Sequence, residues 1–257
     1  MKLVVGLVRA AIIGTSDQGQ HYLNLFSCTF KKFLRRIVIK SLCEKPAFRY
    51  LAPFVVFMIL TELQRFASPQ TIFFVYALKS ILTGALILWA FQGKYREIEG
   101  SFADLRAAVL GVTVLVVWIL PTLIFKDLPK DISFDPGVFD NVLAQGAAIL
   151  IRAAGAVLVV PIMEELLWRS FLMRYLIQPD FLKIPFGTYR SIPFWITVAA
   201  FTLVHRTWEW PVAALTGILY GAYAVKTKNL KGCVLAHAVT NLGLAIYTVS
   251  TGQWFFW

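Results

Sequence analysis

Apolar runs of about twenty residues recur along this chain, and each is long enough to cross about 30 Å of hydrocarbon as a helix. Seven such spans are expected, at 47–66, 70–91, 105–125, 142–162, 192–206, 210–226 and 231–250. The fifth is short, so six to eight is the range. The expected fold class is all-α, a polytopic transmembrane helical bundle. Composition agrees: 58% of the 257 residues are hydrophobic and 15% are charged, where soluble domains carry about 25% charged residues. The fourth span is expected to continue as helix to about Ile177. Pro161 should kink it without ending it, because neighbours can re-satisfy the carbonyl that proline frees.

The net charge is +11. Residues 1–50 hold nine Lys/Arg against two acids and supply +7 of it. Beside a transmembrane helix, such a segment reads as attracted to anionic headgroups rather than to nucleic acid. The run KKFLRRIVIK, Lys31 to Lys40, spaces its charges like a basic amphipathic helix on the bilayer surface. Residues 1–44 are therefore expected to be a basic extension, membrane-surface or disordered, ahead of a transmembrane domain at 45–257. The opening MKLVVGLVRAAIIGTS resembles a weak signal peptide, but Arg9 interrupts its apolar stretch. Cys28, Cys43 and Cys233 lack metal-ligand spacing, and Cys233 reads as a small core hydrophobe.

Loop charge sets the expected orientation. The N-terminal segment, the 92–106 link (Lys94, Arg96, Arg106), the 169–190 link (Arg169, Arg174, Lys183, Arg190) and the KTKNLK link from Lys226 to Lys231 are basic. The loops between them are not: 126–140 carries Asp127, Asp131, Asp135 and Asp140, and the 67–69 and 207–209 turns are almost uncharged. A cytoplasmic N-terminus and an outward C-terminus follow.

Ionisable side chains inside a membrane are costly and usually face a bundle interior or a water-filled cavity. In the C-terminal half, VVPIMEELLWRSFLMRYL places Glu164, Glu165 and Arg169 in such a setting, and His205 and His237 occupy later spans. Glu165 and Arg169 are four residues apart on one helix face, acid first, which is the favourable order for an ion pair. Glu164 lies roughly 100° round that helix and has no partner in its own local sequence. A carboxylate so placed is suited to serve as general base for water activation. His237 and Asn241 share a helix face four residues apart, and His205 closes the run WITVAAFTLVH. If these spans are neighbours, one carboxylate, two imidazoles and an amide converge. Glu164 would take a proton from water, a histidine would hold that water, and Asn241 with the other histidine would stabilise an oxyanion. The same groups, Glu164, His205 and His237, remain open as ligands of a divalent metal such as zinc, although no HExxH is present and asparagine is an unusual zinc ligand. No cofactor is certain.

EELLWR (Glu164–Arg169) fits EExxxR, FTLVH (Phe201–His205) fits FxxxH, and HAVTN (His237–Asn241) fits HxxxN. In this order, on separate apolar helices, they resemble the CPBP family of intramembrane proteases, which includes CAAX prenyl endoproteases and bacterial Abi-type proteins. The motif-bearing resemblance covers roughly 140–250. It implies a helical bundle with its site in a cavity reached from the cytoplasmic side. It also implies water activation by Glu164 and His205, oxyanion stabilisation by His237 and Asn241, an architectural role for Glu165 and Arg169, and packing for Phe201. A narrower resemblance, carried by MEELLWRSFLMRYLIQPDFLKIPFG and the ending VLAHAVTNLGLAIYTVSTGQWFFW, is to the CAAX protease-related subgroup found beside bacterial exosortase systems. It implies a bacterial inner membrane, exosortase-system proteins as partners and a membrane-proximal protein or peptide as substrate. Two other functions compete with the peptidase. One is a non-catalytic scaffold or export factor that keeps the fold. The other is a small-solute or proton transporter, for which the usual repeats and paired broken helices are missing.

Overall fold

The computed structural model describes residues 46–91, 101–125 and 134–257. The chain divides into two units, Met1–Phe48 and Arg49–Trp257. Of the first, only Pro46–Phe48 are described, as the opening turn of a helix. The expected 1–44 extension, with its KKFLRRIVIK run, Cys28 and Cys43, lies outside the described residues.

The described residues form seven helices: α1 Pro46–Gln64, α2 Thr71–Phe91, α3 Leu105–Ile124, α4 Val142–Tyr175, α5 Ser191–Leu203, α6 Trp210–Thr227 and α7 Leu230–Thr251. Short 3₁₀ turns sit at Pro136–Val138, Phe181–Lys183, Thr207–Glu209 and Trp254–Phe256. Starts and stops carry recognisable chemistry. Asp104, Asn141 and Asn229 cap α3, α4 and α7 by accepting a hydrogen bond from a backbone N–H of the first turn, which satisfies donors the helix cannot. At the other end, Lys228 after α6 and Gly252 after α7 take the left-handed conformation that closes helices.

Five helices, α1 to α4 and α7, are long and apolar enough to cross a bilayer, which makes this an integral membrane protein. Two of the expected spans fall short of that standard. The 13 residues of α5 rise only about 20 Å at 1.5 Å per residue. The 18-residue α6 carries a charge near its end and the polar groups that pack inward. α5 and α6 lie against each other, and α6 also packs on α3 and α7.

The centre of the bundle is α7, which packs on α3 and on α4. A Cβ added at Gly111 of α3 would stand 2.5 Å from the carbonyl oxygen of Ala236 and 2.7 Å from Cβ of Val239. The helices meet there almost backbone to backbone. Thr240 uses the proximity: its hydroxyl donates to the Gly111 carbonyl at 2.7 Å and receives the Tyr220 hydroxyl at 2.7 Å. Gly111→Val is expected to destabilise the protein by about 1–3 kcal/mol through overpacking, read as a lower denaturation midpoint in detergent.

The 34-residue α4 runs through Pro161, as its sequence predicts, by way of a π-turn over Gly155–Val159. In that register the carbonyl of residue i accepts from the N–H of i+5. Val160 donates to the Gly155 carbonyl, and the next donor in line, Pro161, has no N–H. The Ala156 carbonyl it would have served instead accepts from Asn241 Nδ2 of α7 at 2.7 Å. A second π-turn spans Leu166–Leu172, so the two glutamates lie on a short α-helical piece, Val160–Glu165, between two wide turns. Such turns collect at functional sites.

Just before α3, Asp104 is gripped from two sides. The Arg106 side chain donates to both carboxylate oxygens at 3.0 and 3.1 Å, and the Tyr223 hydroxyl donates at 2.6 Å. These bonds, Arg106 first, hold the Asp104 carboxyl well below the usual carboxylate range. A depressed folded-state value means that the stability Asp104 contributes is complete above the unfolded value of about 3.9 and is lost as pH falls through the folded one. Denaturation midpoints of wild type and Asp104→Asn are therefore expected to differ at neutral pH and to converge under strong acid.

Candidate active site

Glu164, His205, His237 and Asn241 line one cavity of about 330 Å³. They reach it from three places: the α-helical piece of α4, the turn after α5, and two successive turns of α7. The three motifs each contribute a side chain to the cavity lining.

The two glutamates face different surroundings. Glu165 is fully buried and Arg169 is 2% exposed. Glu165 Oε1 accepts from Arg169 Nη1 at 3.0 Å, the ion pair expected from their spacing. The guanidinium also lies over the rings of Phe201 and Tyr220, 4.9 and 5.4 Å from their centroids, which are favourable cation–π distances. Phe201 is thus the packing neighbour the motif implied. Glu164 is only partly buried, lines the cavity, and forms no hydrogen bond or ion pair among the described residues.

His237 departs from the expected arrangement. Its Nδ1 bonds Glu165 Oε1 at 3.0 Å, so the histidine is held by the acid read as purely architectural. Glu165 therefore links Arg169 on its own helix to His237 on α7. Since Oε1 already accepts from Arg169, Nδ1 is the donor in this bond. Nε2 is then the ring nitrogen left for the cavity. Tyr220 flanks the imidazole, with ring centroids 5.5 Å apart.

His205 lies just past the end of α5, where the chain turns, and not inside a span. Its Nδ1 donates to the Phe201 carbonyl at 2.7 Å, one of the orphan acceptors of a helix end. That bond fixes the tautomer and leaves Nε2 as acceptor. Trp118 and Phe201 bracket the ring at 5.6 and 4.7 Å. Asn241 spends one N–H on the Ala156 carbonyl, and its amide has a second N–H to give.

Among the described residues, no three His, Cys, Asp or Glu side chains are grouped to hold a metal ion. Glu164, His205 and His237 share the cavity without forming a ligand set, and both imidazoles have Nδ1 committed to protein acceptors. Cys233 is a buried free thiol on α7, in keeping with its reading as a small hydrophobe.

Two cavity residues escaped the sequence reading, Lys79 of α2 and Arg152 of α4. Each is a cation inside an apolar run, and the rule that singled out the glutamates applies equally to them.

Residues 146–243 match the family described as Type II CAAX prenyl endopeptidase Rce1-like. The match covers fewer than half of the chain's residues, but it contains Glu164, Glu165, Arg169, Phe201, His205, His237 and Asn241. It reaches the superfamily of CAAX-type proteases and does not single out the exosortase-associated subgroup. No curated protein and no solved structure matches the chain.

Proposed function

We propose that this protein is an intramembrane endopeptidase that hydrolyses a peptide bond of a membrane-associated protein. The observation that carries the reading is the sharing of one cavity by Glu164, His205, His237 and Asn241, with Glu164 unpaired among the described residues and both histidines fixed through Nδ1.

In this reading, water sits between Glu164 and His205 Nε2. Glu164 takes a proton as the water oxygen attacks the scissile carbonyl carbon. Negative charge then develops on the carbonyl oxygen. The second N–H of Asn241 stabilises it, and so does His237 when Nε2 is also protonated, with the Glu165 carboxylate as counter-charge. The C–N bond breaks, and the proton held by Glu164 passes to the leaving nitrogen. The second proton of the water leaves the new carboxyl group for the amine, so the products are a carboxylate and an ammonium. These steps use protein groups and water alone.

The resemblance to prenyl endopeptidases supports the reaction class more than the prenylated substrate. A bacterial inner membrane, a cytoplasmic N-terminus and a place beside an exosortase system belong to the same proposal. Counting neither α5 nor α6 as a crossing gives five and counting both gives seven, and each leaves the two ends on opposite sides, whereas counting one of them would put the ends on the same side.

The test is cleavage of a peptide library by the purified protein in detergent, with and without a chelator, read by mass spectrometry. Cleavage that survives chelation and is absent from Glu164→Gln supports the proposal. Loss on chelation with recovery on zinc would replace it with a metallopeptidase. Products formed equally by Glu164→Gln would favour a contaminant activity and a scaffold role.

A further inference from the structure

We propose that Lys79 and Arg152 form an anion-binding subsite within the catalytic cavity, which selects peptides carrying a carboxylate about five residues from the cleaved bond. The proposal rests on the peptidase reading and extends it to specificity.

Lys79 is 3% exposed although it lies in the middle of a membrane-length helix. Its Nζ donates to Gln64 Oε1 at 2.6 Å and Thr61 Oγ1 at 3.0 Å, and it lies 4.4 Å from the Phe57 ring centroid. Both acceptors are neutral, and an ammonium has a third N–H. Arg152 approaches from the facing helix. Its guanidinium carbon is 4.2 Å from the centroid of Tyr76, a ring that Lys79 also contacts at 4.9 Å. Arg152 Nε is buried and has no hydrogen-bond partner. The two cations thus meet across one aromatic ring, and neither pairs with a carboxylate among the described residues.

An ion pair from within the cavity does not resolve this. Of the two acidic side chains that line it among the described residues, Glu164 is the proposed base, and Glu209 is taken up by Arg206, accepting from its backbone N–H at 3.0 Å and pairing with its side chain at 3.5 Å. Intramembrane cations normally find a counter-charge or mark the path of a charged ligand. Here no counter-charge stands among the described residues, the cavity is open to both groups, and a guanidinium with a spare N–H is the usual device for holding a carboxylate.

Spacing sets the register. Arg152, Ala156, Val160 and Glu164 line the cavity at four-residue intervals along α4. Twelve residues of helix rise about 18 Å, and an extended peptide covers that distance in about five residues at roughly 3.3 Å each.

The test uses full-length protein in detergent and one cleavable peptide in several forms: neutral throughout, with a single Asp moved along it, with that Asp replaced by Asn, and with the C-terminus free or amidated. Wild type is expected to prefer an acidic form by tenfold or more in kcat/KM. In Lys79→Met and Arg152→Met, the ratio of acidic to neutral kcat/KM should collapse at least tenfold, mainly through KM. Lys79→Arg and Arg152→Lys, which keep the charge, should retain it. Asp→Asn and amidation tell a side-chain carboxylate from a terminal one. A ratio that is near one in wild type, or that survives both methionine variants while overall activity falls, overturns the proposal. Binding of fluorescent acidic peptide to Glu164→Gln, compared with Glu164→Gln/Lys79→Met, is a separate arm. If wild type cleaves nothing yet this binding depends on Lys79, the subsite stands and the peptidase reading fails. If vesicles of phosphatidylglycerol, but no acidic peptide, bind in a Lys79-dependent way, the site belongs to lipid and the proposal fails.

Discussion

Glu164→Gln is expected to lower kcat by about 10²–10⁴-fold while leaving the thermal denaturation midpoint at its wild-type value. The amide has nearly the shape of the acid but cannot take a proton from water. Stability should hold because Glu164 is partly exposed to the cavity and forms no hydrogen bond or ion pair among the described residues, and such positions usually tolerate substitution within about 0.5 kcal/mol. KM should change little, since the carboxylate acts on water and not on bound peptide. Turnover and midpoint, measured on one detergent preparation, check both halves. A variant that lost activity only because it had unfolded would not support the assignment.

Glu165→Ala should behave in the opposite way, costing about 3–5 kcal/mol of stability. Glu165 is completely buried and is the acid shared by Arg169 and His237. Its removal leaves a guanidinium that is 2% exposed without a carboxylate, and the penalty is for that uncompensated charge more than for the lost bond. Against a typical total of about 5–15 kcal/mol, the effect is large enough to shift the population toward unfolded protein. A second substitution separates charge from position. Replacing the pair together, Glu165→Leu with Arg169→Met, should recover much of the stability, because a buried ion pair is often matched by apolar residues of similar volume. It should not recover activity, because His237 would still lack the acceptor that fixes its ring. Wild-type stability in Glu165→Ala would contradict this account of the triad.

Much of the bundle was legible in the sequence. The third span was placed at 105–125 and the helix runs Leu105–Ile124. The continuation of the fourth through Pro161 was legible as well, because hydrophobic runs and helix breakers act locally. The Asn241 side chain that makes the continuation possible was recognised only as a polar group, since its partner, the Ala156 carbonyl, is 85 positions away. The same limit hid the bond between Glu165 and His237, 72 positions apart. Spacing along one helix revealed the Glu165–Arg169 pair, but no local pattern encodes which acid a distant histidine meets. The π-turns on either side of Val160–Glu165 leave no sequence periodicity of their own. His205 shows a different failure. Its apolar approach run reads as span to the end, whereas the helix stops at Leu203 and the imidazole folds back onto the Phe201 carbonyl. Lys79 and Arg152 carry the same signal as the glutamates, a charge inside an apolar run, but neither stands in a motif.

The central claim is that two neighbouring acids have separate duties, chemistry for Glu164 and positioning for Glu165. The most direct measurement is kcat together with the denaturation midpoint for Glu164→Gln and Glu165→Gln, side by side, on one cleavable peptide. The account predicts that Glu164→Gln loses turnover at an unchanged midpoint, and that Glu165→Gln loses stability and, with it, the fixed orientation of His237. Retained turnover in Glu164→Gln, or full stability and full turnover in Glu165→Gln, would contradict it.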